Sequence, residues 1–225
     1  MTHQTALPAE PSRAEAVARH IHGLLIAGEF TPGEKLSEHQ AAARFGISRN
    51  TLREVFRLLS SQGLVTHIPN RGVFVAAPDA ADVVDIYRAR AVIQHGAVRA
   101  ATRGHPALGR MRALSDQAHD ARGRDDWCAV GTLNMEFHRA MVGLCDSPRL
   151  DAAFALILAE LRLVFGQLDD TAHLHDAYVD LNQSLLTALE AGDGPNAVRR
   201  LDDYLRHSER AFLSALERAR DRMPR

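Results

Sequence analysis

The side chains best suited to chemistry form two groups, and both favour binding over bond making. The first is compact: Ser48, Arg49, Asn50, Thr51 and Arg53 put hydroxyls, guanidiniums and a carboxamide within one short stretch. A guanidinium fork matches a phosphate or a guanine edge, and a carboxamide matches an adenine edge. Arg71 and Gly72 add a guanidinium beside a residue whose lack of a side chain permits close backbone approach. The second group is spread along the chain as Arg90, Asn134, His138, Asn182 and Tyr204, one cation with neutral hydrogen-bonding partners. Such a set suits a small polar or acidic molecule. Catalysis has little to stand on. An enzyme with His138 as its base lacks a nucleophile with a paired base, a phosphate-cradling glycine loop and an HExxH pattern. No residue is assigned a catalytic role.

The compact group needs a helix end to present it. Ser48 is a suitable N-cap, Leu52, Val55, Phe56 and Leu59 recur at helical spacing, and Gly63 is a stop. Arg49, Arg53 and Arg57 then share a face, and the polar residues crowd the first turns, the end that enters a major groove. A preceding helix over about Ser37 to Phe45 carries QAAARF and ends at Gly46, which makes a helix-turn-helix. Leu64 to Ile68 then alternates as a strand, Pro69-Asn70-Arg71-Gly72 is turn chemistry, and Val73-Phe74-Val75 returns as a second strand. That hairpin is a wing. Between residues 44 and 71, Arg44, Arg49, Arg53, Arg57 and Arg71 face a single carboxylate, Glu54, although the chain carries a formal charge of −1. A cationic patch on a near-neutral protein favours a polyanion at one face.

From Ile21 to Val75 the chain resembles the winged helix-turn-helix domain of the GntR family of bacterial transcription regulators. PGEKLSEHQAAARFGISRNTLREVFRLLSSQGLVTHIPNRGVFV runs in register with that family's pattern from the Pro-Gly turn to the wing. The resemblance implies that Ser48, Arg49, Asn50, Thr51 and Arg53 contact phosphates and major-groove bases. It implies that Arg71 and Gly72 at the wing tip approach the minor groove. His39 departs from the pattern, since relatives often place a basic residue there.

Composition bounds the rest. With 225 residues, 46% of them hydrophobic, the chain has room for a second domain beyond a DNA-binding unit. The expected division is residues 10–76 and residues 79–220, separated at Ala76-Ala77-Pro78-Asp79. Cys128 and Cys145 form neither a CxxC pair nor a disulfide framework, which fits a reducing compartment. No apolar run approaches the ~20 residues that cross a bilayer, and MTHQTALPAEPS lacks the pattern of a signal peptide. A cytoplasmic protein with a loose N-terminus up to about Pro11 is expected, with no membrane partner. Lys35 is the only lysine, read here as a habit of composition rather than a device.

Beyond the boundary the pattern is helical throughout. Helices are expected over 79–103, 105–122, 125–145, 148–169, 175–191 and 195–220, punctuated by Gly, Pro and Asp-Ser turns, and no strand is evident. The fold class is therefore mainly α: a winged helix-turn-helix of three helices and a β-hairpin, then an all-α antiparallel bundle. On the first bundle helix Val83, Ile86, Ile93 and Ala97 mark the buried stripe, with Arg90 among them. On the third, Asn134 and His138 lead into Met141 and Cys145. On the fifth, His175, Tyr178 and Asn182 lead into Leu185 and Leu189, and on the last, Tyr204 interrupts Ala197, Leu201, Ser208 and Ala211. Polar groups on several helices thus aim inward. They line either a wet pocket or a dry core of paired polar groups in which Arg90 needs a partner such as Glu136 or Asp180.

DIYRAR at Asp85 to Arg90, NMEFHRA at Asn134 to Ala140 and LLTALEAGD at Leu185 to Asp193 resemble the FCD effector domain of the FadR subfamily. Many members hold a divalent metal through an aspartate and three histidines, beside a carboxylate effector. In register those positions are Asn134, His138, Asn182 and Tyr204, so one ligand of four remains. Two carboxamides and a phenol are poor metal ligands, and no metal cofactor is expected. His175 and His207 stand on neighbouring turns from which a site can be rebuilt. The resemblance implies a regulator, commonly a repressor, working as a homodimer on a pseudo-palindromic operator. Its effector is a small molecule, such as an organic acid, held by Arg90, Asn134, His138, Asn182 and Tyr204. The competing view keeps a DNA-binding dimer whose bundle is purely structural.

Overall fold

The computed structural model describes residues 12–168 and 172–222, and the chain divides into two compact units between Ala76 and Ala77. The loose segment expected up to Pro11 lies outside the described residues, and the helix expected to reach Asp169 ends instead at Phe165, with Gly166 as its cap.

In the first unit each helix begins on a hydroxyl, and the first two stop where the backbone turns left-handed. Helix α1, Arg13–Ala27, starts at a capping box of Ser12 and Glu15 and ends at Gly28, φ 81°. Ala14, Ala18, Ile21 and Leu25 form its buried stripe. Helix α2, Glu38–Phe45, is capped by Ser37, whose hydroxyl accepts from the Gln40 amide, and ends at Gly46, φ 60°. Helix α3, Arg49–Ser61, buries Leu52, Val55, Phe56 and Leu59. These four sit at or below 5% exposure, so the apolar spacing read from sequence is the face that packs. Gly63, φ 72°, lies just past its end.

The wing is larger than a hairpin. Strands β2, Val65–Ile68, and β3, Gly72–Val75, pair antiparallel with Val65 opposite Val75 and Ile68 opposite Gly72. A further strand β1, Lys35–Leu36, adds to the other edge, Lys35 opposite Phe74, so β3 is central in a three-stranded sheet. Two residues have no alternation to read, which is why sequence periodicity missed β1.

The second unit is helical throughout its described residues. Helix α4, Ala80–Ala100, opens with a capping box of Asp79 and Asp82. Helix α5 is Pro106–Arg122, and α6, Trp127–Val142, continues into a single 3₁₀ turn, Gly143–Cys145. Helix α7 is Pro148–Phe165, α8 Ala172–Glu190 and α9 Gly194–Arg222. Proline at the first position of α5 and α7 costs no hydrogen bond there. Helix α4 packs on α7 and α9, α5 on α6 and α8, and α8 on α9. One apolar core runs through them, from Val83 and Ile86 through Phe137, Met141 and Val164 to Leu185, Leu201 and Phe212. Among the described helices none is long and apolar enough to cross a membrane.

On α4 the buried stripe differs from the expected one. It runs Val83, Ile86, Tyr87, Arg90, Gln94, Ala97 and Val98, and Ile93 is only half-buried. Ile93 follows Arg90 by three positions and Gln94 by four, and the helical turn brings the carboxamide onto Arg90's side. Hydropathy favoured the wrong neighbour.

Candidate functional site

The polar residues at the start of α3 are held out by the cap beneath them. Ser48 Oγ accepts from the Thr51 amide at 3.1 Å and lies 2.9 Å from Thr51 Oγ1. Ser48 and Thr51 thus engage each other, while Arg49, Asn50 and Arg53 are exposed. Arg49 forms no ion pair among the described residues. Arg53 reaches Glu38 Oε2 at 3.4 Å and Arg44 reaches Glu29 Oε2 at 2.7 Å, both at the surface. The cationic patch is therefore more neutralised than the count over residues 44–71 implied, because both carboxylates lie outside that window. Surface pairs of this kind contribute about 0 to 1 kcal/mol, so a phosphate can displace them. Arg44 is further held over the rings of Phe30 and Phe45, each centroid 5.5 Å from its guanidinium carbon.

At the wing tip the Arg71 amide donates to the Ile68 carbonyl at 3.0 Å, closing a turn with Asn70 at φ 61° and Gly72 at φ 110°. Pro at the second and Asn at the third turn position fit these angles. Arg71 is exposed and leans on Phe74, 5.7 Å from its ring centroid. The Lys35 stem lies beside the tip, since a Cβ on Gly72 would meet Lys35 Cε at 3.3 Å. The lone lysine is thus a second cation at the wing, brought there by the strand that sequence reading missed.

In the second unit Arg90, Asn134, His138, Asn182 and Tyr204 are all at most 4% exposed. They gather around the Tyr204 ring. His138 lies 4.3 Å from it between ring centroids, and the Arg90 guanidinium carbon is 5.9 Å from it and 4.7 Å from the Tyr87 ring. The Tyr204 hydroxyl donates to Asn134 Oδ1 at 3.0 Å, and Asn182 Nδ2 donates to the same oxygen at 2.8 Å. Gln94 Nε2 lies 2.7 Å from His138 Nδ1. Glu136 pairs with Arg139 at 3.2 Å and Asp180 with Arg122 at 3.0 Å, so neither serves Arg90. The dry-core alternative with either carboxylate as partner is corrected. Asp180 lies at the surface and Glu136 is half-buried, each with an arginine of its own.

Several buried polar atoms here lack a hydrogen-bond partner among the described residues: Arg90 Nε and Nη1, His138 Nε2, Gln94 Oε1 and Asn182 Oδ1. In a core such groups cost free energy unless something satisfies them. Burial, and then the neighbouring Arg90 charge, hold the His138 imidazole well below its usual range, so it is neutral at pH 7. Burial likewise raises the Tyr204 hydroxyl above the ordinary phenol range, against the lowering effect of Arg90.

The donor set does not fit the divalent metal that the resemblance implies. Asn134 Oδ1 already accepts two hydrogen bonds, and Tyr204 is a protonated phenol that donates one of them. One imidazole with two carboxamides and a phenol offers no anionic ligand. Nor do His175 and His207 rebuild the site. Among the described residues no three His, Cys, Asp or Glu side chains gather as a metal site, and His207 is exposed. His175 is buried against Phe165, with its ring close enough to Gly131 that a Cβ there would meet Nε2 at 2.6 Å. Burial, and then Arg162, lower its pKa to about 4.

Sequence reading missed Gln94 and Tyr87, although it placed Tyr178 and Ser208 on inward faces. Gln94 orients His138, and the hydroxyls of Tyr87, Ser208 and Tyr178 form a buried chain with distances of 2.5 and 3.1 Å. Gln94 was detectable four positions after Arg90. Tyr87 was hidden because an aromatic at a helical core position usually signals packing alone.

Residues 13–75 match the family model of bacterial regulatory proteins of the gntR family, and residues 85–207 match that of the FCD domain. The Nta operon transcriptional regulator of Aminobacter aminovorans is 30% identical over 160 residues, which cover 68% of this chain and 76% of that protein. A Paenarthrobacter nicotinovorans protein described as a probable D-xylose utilization operon transcriptional repressor is 25% identical, the match covering 84% of this chain and 81% of the relative. The crystal structure of a protein described as a GntR transcriptional regulator from Rhodococcus sp. RHA1 superposes with a TM-score of 0.83 at 36% identity. That match covers 91% of this chain and 99% of the other.

Proposed function

Because this chain belongs to the GntR family of bacterial transcription regulators and carries an FCD effector domain, we propose that it is a cytoplasmic homodimeric repressor released by a small carboxylate-bearing metabolite. It is a DNA-binding regulator and not an enzyme. The operator is a pseudo-palindrome whose half-sites mirror the two-fold of the dimer. Ser48, Arg49, Asn50, Thr51 and Arg53 contact phosphates and base edges in the major groove, while Arg71 and Gly72 approach the minor groove. Arg90, Asn134, His138, Asn182 and Tyr204 hold the effector.

The observation that carries this reading is Arg90: buried to 1% exposure, with Nε and Nη1 unpaired, and with no Asp or Glu among the buried polar residues of the described chain. A buried guanidinium without a countercharge is costly, and an anionic ligand removes that cost. Repression draws support from the relative described as a repressor of a sugar-utilisation operon. Effector and operator binding are then coupled by about 1 to 3 kcal/mol, and the coupling is reciprocal.

Operator anisotropy titrations with and without organic acids test it. The wild-type protein should lose operator affinity when the right acid is added. Arg90→Ala should bind the operator within about threefold of wild type and ignore the acid. An Arg90→Ala protein that folds and still responds would overturn the effector assignment.

A further inference from the structure

We propose that the groove between α3 and the wing seats a backbone phosphodiester of the bound duplex, held by Arg57 and by His67 in its protonated form, so that binding DNA takes up protons. This rests on the proposed placement of α3 in the major groove and of the wing tip in the minor groove, and it adds two residues to that interface.

The groove has a volume of about 350 Å³. Arg53, Arg57 and Ser60 of α3 line it on one side and Val65 and His67 of β2 on the other, with Glu38 of α2 beside them. Its two walls follow from periodicity. Arg53, Arg57 and Ser60 continue the face of α3 that starts at Arg49, and Val65 and His67 share one face of β2 because strand side chains alternate. His67 stands opposite Val73, which also lines the groove, so this is the sheet face turned to α3.

What lies over the groove follows from duplex geometry. A sugar-phosphate strand separates the major groove from the minor groove. When α3 occupies one and the wing tip the other, that strand runs across the space between them. Arg57 lies a little over two turns after Arg49, about 12 Å along the axis at about 1.5 Å per residue, which exceeds the ~8.5 Å depth of the major groove. A guanidinium at that height meets phosphate rather than base edges.

The charges suit such an occupant. Arg57 and His67 are both exposed, and Arg57 forms no ion pair among the described residues, whereas Arg53 is paired with Glu38 at 3.4 Å. The charged groups that face His67 across the groove are Glu38 from α2 and Arg53 and Arg57 from α3. Strand β3 carries none, and Lys35 of β1 lies at the Gly72 tip. With His67 neutral, two guanidiniums stand against one carboxylate, and that surplus attracts a phosphodiester. Once Arg53 turns to the DNA, Glu38 and the phosphate both face the imidazole, and two anions favour its charged form. Protonation gives the phosphate a charge-assisted donor. Affinity is then greatest in acid and falls as pH rises through the histidine range. Base preference is untouched, because phosphates carry no sequence identity.

The test is fluorescence anisotropy of the full chain with a duplex carrying a footprinted operator and a scrambled duplex of equal length, from pH 6 to pH 8 at fixed salt. Wild-type affinity for both should fall at least about tenfold across that range for a complex of two subunits. His67→Gln should be flat and should converge on wild type at pH 8. His39→Gln, which removes the exposed imidazole of α2, should keep the dependence. Arg57→Ala should weaken both duplexes alike and lower the slope of log affinity against log salt by about 0.9 per bound subunit. Because both positions are exposed, each variant should keep the wild-type melting temperature. Wild-type affinity indifferent to pH, a dependence that survives in His67→Gln, or an unchanged slope in Arg57→Ala would overturn the proposal and leave operator recognition standing. A folded wild type that binds neither duplex would overturn both.

Discussion

Gln94 and His138 touch at 2.7 Å between Nε2 and Nδ1, inside a core where both residues are at most 1% exposed. With Gln94 Nε2 donating, His138 accepts at Nδ1 and carries its proton at Nε2. Long-range nitrogen NMR should find His138 as the Nε2–H tautomer, titrating well below the ordinary histidine range. A His138 resonance that titrates near its ordinary value would show that the ring is neither buried nor oriented as described. Gln94→Leu should mix the tautomers.

Stability should fall as the solution is acidified. His138 and His175 both have pKa values depressed in the folded state, His175 to about 4, so below the unfolded value the unfolded chain binds more protons. Their contribution is complete above roughly pH 6.5 and is lost as pH drops toward the folded pKa. For His175 alone the loss amounts to about 3 kcal/mol at most. Chemical denaturation at pH 7 and pH 5 should show it, and His175→Gln should flatten the profile. A His175→Gln protein with an unchanged slope would remove His175 from the account.

Arg49 is exposed and has no ion pair among the described residues, so its loss should leave the fold intact. Arg49→Ala is expected to weaken specific binding by about 1 to 3 kcal/mol and to relax sequence preference. Arg53→Ala should cost less, because its pair with Glu38 must first be broken. Gel shifts with operator and scrambled duplexes separate the two variants.

Lys35 makes a different prediction. If it neutralises a phosphate beside the wing tip, Lys35→Ala should reduce the slope of log affinity against log salt by about 0.9 per bound subunit. Sequence preference should be nearly unchanged. An unaltered slope would leave Lys35 as a strand residue only.

The lost metal set can be restored by substitution. Wild-type protein should bind no stoichiometric zinc after dialysis, by elemental analysis. The combination Asn134→Asp, Asn182→His and Tyr204→His adds one carboxylate and two imidazoles around His138 and should take up one zinc per chain. Zinc in the wild type would refute the reading of the donor set.

Local chemistry made much of this fold legible. Ser48 caps the helix it precedes and Gly46 ends its own with positive φ, both as read from the sequence, whereas the cap at Ser12 and the stop at Gly28 were not read. The apolar face of α3 is the one its spacing indicated. What stayed hidden was relational. The pairs Arg44 with Glu29 and Arg53 with Glu38 join elements 15 residues apart, and no periodicity encodes them. Strand β1 is too short to alternate. Gln94 displaced Ile93 from the core because its neighbours supply hydrogen-bonding groups, which a hydropathy pattern cannot register.

The account's central claim is a helix end that reads duplex DNA. Footprinting of genomic fragments at low ionic strength, with folded wild-type and Arg49→Ala protein, tests it most directly. Two protected half-sites, spaced by about one helical turn or a multiple and lost in Arg49→Ala, are the expected result. A folded wild-type sample that protects no fragment, or protection that Arg49→Ala leaves untouched, would contradict it.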